Sequence, residues 1–160
     1  DYNWGCMMAE TSIWYYRDFP TDREAFGYAL KDLNGDGNEE LILLLKDYTV
    51  LAVFTISDGK PKLLDAYWPK HRCAIYGSGL LYTLTSDGSA NSYYRIQQIS
   101  DSNLVTLEEY GRDYMIINGK KSSITDSAYN AFQEKYPVLF DTTASDITGS
   151  SGIEFVSIFE

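Results

Sequence analysis

Between Asp32 and Leu41 (DLNGDGNEEL) the oxygen-bearing side chains Asp32, Asn34 and Asp36 fall on alternate positions. Gly37 follows, where the chain must turn sharply. Next come Asn38, which can offer its main-chain carbonyl, and Glu40 at the ninth position of the loop. An all-oxygen set of this kind suits a hard divalent cation. Calcium takes six to eight oxygens at about 2.3–2.6 Å, and alternate residues of one tight loop can aim at a single centre. The expected site is therefore one calcium ion held by Asp32, Asn34, Asp36, the Asn38 carbonyl and Glu40. Position 12 is Leu43, inside the apolar run Leu41–Leu45, so the acidic residue that closes an EF-hand is missing and Glu40 takes that role. The plain alternative is a turn without metal, since Asn34-Gly35 and Asp36-Gly37 are both good turn dipeptides.

Other chemistry is thinner. His71 and Cys73 would share a face if the segment is a strand, which makes a Cys–His nucleophile pair geometrically possible. No third orienting residue is recognisable beside them. Asp65, Glu108 and Glu109 could supply a pair of facing carboxylates for hydrolysis. No Gly-x-Ser-x-Gly, P-loop or dinucleotide fingerprint occurs, and Gly77-Ser-Gly79 is too short to cradle phosphate. Cys6 and Cys73 can form a disulfide or stay reduced; their number and spacing favour neither, and they make no metal pattern. Among Tyr15, Tyr16, Trp68, Tyr93 and Tyr94, neighbours must point to opposite faces of any strand, so some are expected at the surface as a platform for sugars or proteins.

The elements that must position these residues are mostly strands. Short runs rich in β-branched and aromatic residues recur between turn signals, at 40–46, 48–56, 62–68, 72–76, 80–85, 93–99, 104–110 and 114–117. Asp58-Gly59 and Asn118-Gly119 mark hairpins, as does Asp87-Gly88. One helix is expected over Asp126–Lys135, capped by Thr125 or Ser123 and stopped by Pro137, as a cover for an open sheet edge. Met7–Phe19 reads as a short helix, Asp141–Gly152 as a surface loop and Ile153–Phe159 as a final strand. Ile56, Ser57, Asp58, Leu64 and Tyr67 recur as Ile99, Ser100, Asp101, Leu107 and Tyr110, a period of 43 residues. Two four-stranded units of that length match the size of propeller blades, but a closed propeller needs at least four. The expected fold is a single mainly β domain with minor α. It would be an antiparallel meander of blade-like four-stranded units, an incomplete propeller with one C-terminal helix.

Composition bounds the partners. With 160 residues the chain is one domain by length, and 44% hydrophobic residues can fill a core. Thirteen basic residues against 23 acidic ones give a net charge of −10, which argues against nucleic acid and anionic membranes. No apolar stretch is long enough to span a bilayer. The chain opens at Asp1 with no initiator Met and no export signal, as a trimmed or processed product would.

The loop and the strand after it resemble the calcium loop of the FG-GAP repeats of integrin-alpha-type β-propellers, Asp-x-Asp/Asn-x-Asp-Gly-x-x-Asp followed by an apolar strand. Glu40 stands where the repeat has Asp. The segment also resembles one common in secreted proteins and lipoproteins of Gram-positive gut bacteria, where an aromatic-rich stretch like Phe26–Leu30 precedes the loop. The resemblance covers residues 26–45. It implies a secreted or cell-surface bacterial domain that binds or scaffolds around one structural calcium, with a protein or carbohydrate ligand. The alternatives are a hydrolase using the carboxylates above and an acidic inhibitor-type domain that binds a basic protein.

Overall fold

A computed structural model describes residues 25–158, other than 78, 87–91 and 142. The expected helix at Met7–Phe19, the residues Cys6, Tyr15 and Tyr16, and the Asp87-Gly88 turn lie outside the described residues. The chain forms β1 (Phe26–Lys31), β2 (Glu40–Leu45), β3 (Val50–Ser57), β4 (Lys60–Ala66), β5 (His71–Tyr76) and β6 (Leu80–Ser86). It continues through β7 (Ser92–Ser100), β8 (Asn103–Tyr110), β9 (Tyr114–Ile117) and β10 (Lys120–Ser123). Helices α1 (Asp126–Lys135), α2 (Val138–Asp141) and α3 (Ala144–Gly149) then lead to β11 (Val156–Ser157).

The strands make two antiparallel sheets. One has the order β11-β1-β2-β3-β4 and the other β10-β9-β8-β7-β6-β5. The mainly β class with minor α is what the sequence predicts, but the units are five- and six-stranded rather than four-stranded. The break falls between β4 and β5, because the chain crosses from one sheet to the other at Tyr67–Lys70, around Pro69. An isolated bridge, Trp68 to His71, spans that crossing. β10 continues the β8–β9 meander through the turn at Asn118-Gly119, whose φ values are +50° and +74°. Asp58-Gly59 turns the same way, and Asp101-Ser102 does so without a glycine.

Strand alternation decides how the sheets stack. The inner face of the first sheet carries Ala29, Ile42, Leu44, Val50 and Val53, which pack against Cys73, Ile75, Leu81 and Ile99 of the second. The opposite face of the second sheet presents Ala74, Tyr82, Ile96 and Tyr110 to Phe132 and Tyr136 at the end of α1 and to Ile147 of α3. The result is three layers: sheet, sheet, helices. Thr125 caps α1 as expected, its hydroxyl accepting from the Ala128 N–H at 3.2 Å.

Three expectations about the C-terminal third are corrected. α1 covers a sheet face, through Phe132, and not an edge. Asp141–Gly152 is not a plain loop, because it contains α3, capped by the Thr143 hydroxyl on the Asp146 N–H. This element guards an edge instead. The outer edge of β5 has its Ile75 N–H donating to the Thr148 hydroxyl at 3.1 Å, and its Ile75 carbonyl accepting from the Ser151 hydroxyl at 2.6 Å. An open strand edge is thereby closed by side chains rather than by another strand. The final strand also starts later than expected: Ile153 leaves the ladder to fill the core, and among the described residues Val156–Ser157 pair with β1, while Phe159 lies outside them.

Candidate functional site

The loop before β2 is built by its own side chains. Asp32 Oδ1 accepts from the N–H groups of Asn34 (3.3 Å) and Gly35 (2.6 Å), and Oδ2 accepts from Gly37 (2.9 Å). Asn34 Oδ1 accepts from the Asp36 N–H at 3.0 Å, and Asp36 Oδ1 from the Asn38 N–H at 2.7 Å. Asn34 also donates its amide to Asp36 Oδ2 at 2.9 Å. Gly35 and Gly37 take φ of +75° and +88°, the left-handed region where glycine has no penalty. The Asn38 N–H, with the Asn34 amide behind it, holds the Asp36 carboxyl below its usual range, so it stays ionised.

The two ends of the loop are fixed in the core. Leu33 is buried in the cluster between the sheets. Its N–H donates to Glu40 Oε2 at 2.9 Å, and the Thr55 hydroxyl of β3 donates to Glu40 Oε1 at the same distance. Glu40 is 0% exposed, at the head of the inward row Glu40, Ile42 and Leu44. The loop thus brings Asp32, Asn34, Asp36 and Asn38 into one hydrogen-bonded turn, while Glu40 lies beneath it on the inner face of the sheet. Among the described residues no three His, Cys, Asp or Glu side chains converge on a shared point.

The donor chemistry fits a hard cation. Every candidate ligand is oxygen, and Asp32 Oδ2, Asn34 Oδ1, Asp36 Oδ2 and both Glu40 oxygens each accept one hydrogen bond in the contacts above. A carbonyl or carboxylate oxygen has capacity for two. Asp32, Asp36, Glu39 and Glu40 stand within nine residues that hold no Lys or Arg. The described ion pairs, those of Asp65, Glu109 and Glu108, involve none of them. Sequence reading overlooked Thr55, although the inward alternation of β3 places it beside Glu40.

The other candidate groups serve the packing. Glu108 and Glu109 point to opposite faces of β8. Glu108 faces the helices and accepts from Lys135 and Tyr136 on Oε1 and from Tyr110 on Oε2. Glu109 faces the first sheet side and accepts from Arg95 and from the Tyr114 hydroxyl. That bond to Glu109, with burial behind it, pushes Tyr114 up to about 12. His71 Nε2–H donates to Asp65 Oδ2 at 3.0 Å, and Nδ1 lies 2.6 Å from the Thr85 hydroxyl, so the pair ties β4 to the second sheet. Cys73 is a buried thiol whose burial pushes its pKa far up, which removes the thiolate that a nucleophile needs. Trp68, Tyr93 and Tyr94 are all partly exposed, as the alternation argument expects.

Burial pushes the Glu108 carboxyl up, but the hydrogen bonds from Lys135, Tyr110 and Tyr136 outweigh it and leave it below its usual range. A depressed carboxylate contributes stability that is complete above the ordinary carboxylate range and is lost as pH falls through the lowered folded value. Glu108→Gln should therefore cost roughly 2 kcal/mol at neutral pH, the scale of hydrogen bonds to a charged group. Denaturant unfolding at pH 7 and pH 3 checks this: the gap between variant and parent should narrow at the acid end.

Compared with protein-family models, curated proteins and solved structures, the chain matches none of them.

Proposed function

We propose that this is a β domain for binding or scaffolding outside the cell, with one calcium ion held by the loop from Asp32 to Glu40. Asp32, Asn34, Asp36, the Asn38 carbonyl and Glu40 would supply its oxygens. The observation that carries the reading is Glu40: a fully buried carboxylate with two neutral hydrogen-bond donors and no cationic partner among the described residues. A buried charge is costly unless it is paired or coordinates a metal. The loop directly above it is rich in oxygen ligands and in negative charge. A dication there would offset both the buried carboxylate and the repulsion between Asp32 and Asp36.

The role of the ion would be structural. β1 pairs with β2 from Phe26–Leu45 to Lys31–Glu40, so the loop closes the open end of that hairpin and fixes where it meets the second sheet. Extracellular calcium is abundant enough to fill a site of modest affinity, which is why the reading places the domain outside the cell. Its ligand would be a protein or a carbohydrate, taken at partly exposed aromatics such as Trp68 and Tyr93. The hydrolase alternative loses its candidate residues, because Glu108, Glu109 and Asp65 are each engaged in bonds that hold the fold.

A thermal melt in calcium against EDTA tests the proposal. A site filled at 100 times its dissociation constant adds about 2.7 kcal/mol of native stability. For a chain of this size that is a rise of roughly 5–10 °C. Equal melting temperatures in calcium and EDTA would make the loop a plain turn.

A further inference from the structure

Outside the loop, the concave surface between α3 and the second sheet holds a basic side chain with no ion pair among the described residues. Arg72 lies on the helix-facing side of β5 and is exposed. Among the described residues no carboxylate is bonded to it, in a chain whose net charge is −10. It stands at the boundary of two cavities, of about 200 and 240 Å³, that meet at the start of α3. The first runs under α3 over an apolar floor that includes Ala74, Tyr82, Leu84 and Ile147. Arg95 also lines it, but its charge is neutralised by Glu109.

We propose that Arg72 and this apolar cavity form a binding site for a small organic carboxylate. A guanidinium offers two parallel N–H groups that match a carboxylate, and it keeps its charge at any working pH. Tyr94 also lines the first cavity. The space behind is below the 300–1,000 Å³ of drug-sized pockets, so the apolar body is one ring or a short chain. An inorganic anion would leave that floor unused, and a neutral apolar molecule would leave the arginine unpaired.

Amide resonances of the protein, followed by NMR during titration with hexanoate and benzoate, give the test. Both acids should shift residues around Ala74, Leu84 and Ile147, and 1-hexanol should bind about tenfold more weakly, the cost of losing one charged hydrogen-bonded pair. Arg72→Gln, a change at an exposed position, should reduce hexanoate to the level of the alcohol. Ala144→Leu, which grows a side chain into the cavity from its half-exposed rim, should abolish both. No shift with either acid would overturn the proposal. So would equal affinity for the alcohol, an undiminished response in Arg72→Gln, or the same shifts produced by sulfate alone. The site is independent of the calcium reading, so either can fail without the other.

Discussion

Replacing Gly79 by alanine should lower the melting temperature by about 10 °C, the shift that roughly 3 kcal/mol produces in a domain of this size. Gly79 sits in the turn between β5 and β6 with φ of +120°, where an L side chain is strained. Steric space is lacking as well. A methyl group there would overlap the carbonyl of Leu33, main chain that cannot swing aside as a flexible side chain would. Backbone strain costs about 1–3 kcal/mol and overpacking costs a similar amount. The effect reaches the loop, because Leu33 is its second residue and donates its N–H to Glu40. The part of the melting temperature that depends on calcium should therefore shrink too. Gly59→Ala is the control: its φ of +71° is strained but a methyl there meets no neighbour. A Gly79→Ala protein that melts no lower than Gly59→Ala would mean that the contact with Leu33 is loose.

Phe132→Ala should cost about 3–5 kcal/mol, the usual range for deleting a buried aromatic side chain. Phe132 is 1% exposed, and it is the residue through which α1 meets the second sheet. Its ring stacks on Tyr110 with centroids 3.8 Å apart. It meets Tyr136 and Phe140 edge-on at 5.4 and 5.6 Å. Aromatic pairs add about 0.5–1.5 kcal/mol each beyond their buried area. Losing this anchor should also loosen α1, which would weaken the Lys135 and Tyr136 bonds to Glu108. Phe132→Leu, which keeps most of the volume, should recover more than half of the loss in denaturant unfolding. If both variants lose the same amount, the ring contacts matter more than the volume.

Several parts of this architecture can be read from the chain alone, because local rules decide them. Asp58-Gly59 and Asn118-Gly119 turn as their residues demand, and Thr125 caps α1 where the sequence places it. Period-two alternation puts Glu40 on the same face as Ile42 and Leu44, so even its burial is legible. What cannot be read is set by long-range contacts. Regular hairpin spacing does not say which strand changes sheet, so from the sequence β5 reads as the last strand of the first unit, whereas it starts the second. The Ser/Thr/Gly-rich stretch after Asp141 has the composition of a loop. It holds a short helix because Ile147 finds a buried slot and Thr148 and Ser151 find the open edge of β5. Within the site, Asp32, Asn34 and Asp36 are evident from their spacing, whereas Thr55 joins Glu40 from fifteen residues away through strand pairing.

Isothermal titration of the metal-stripped protein with calcium, beside Asp36→Ala, is the most direct test of the central claim. Asp36 is exposed and, among the described residues, its side chain bonds only within the loop, so the variant should keep its fold. The parent should bind one ion per chain and the variant at least about tenfold more weakly, the loss of one charged ligand. Glu40→Gln should weaken binding in the same way, from beneath the loop. Heat of binding that is absent in the parent, or unchanged when Asp36 is removed, would contradict it.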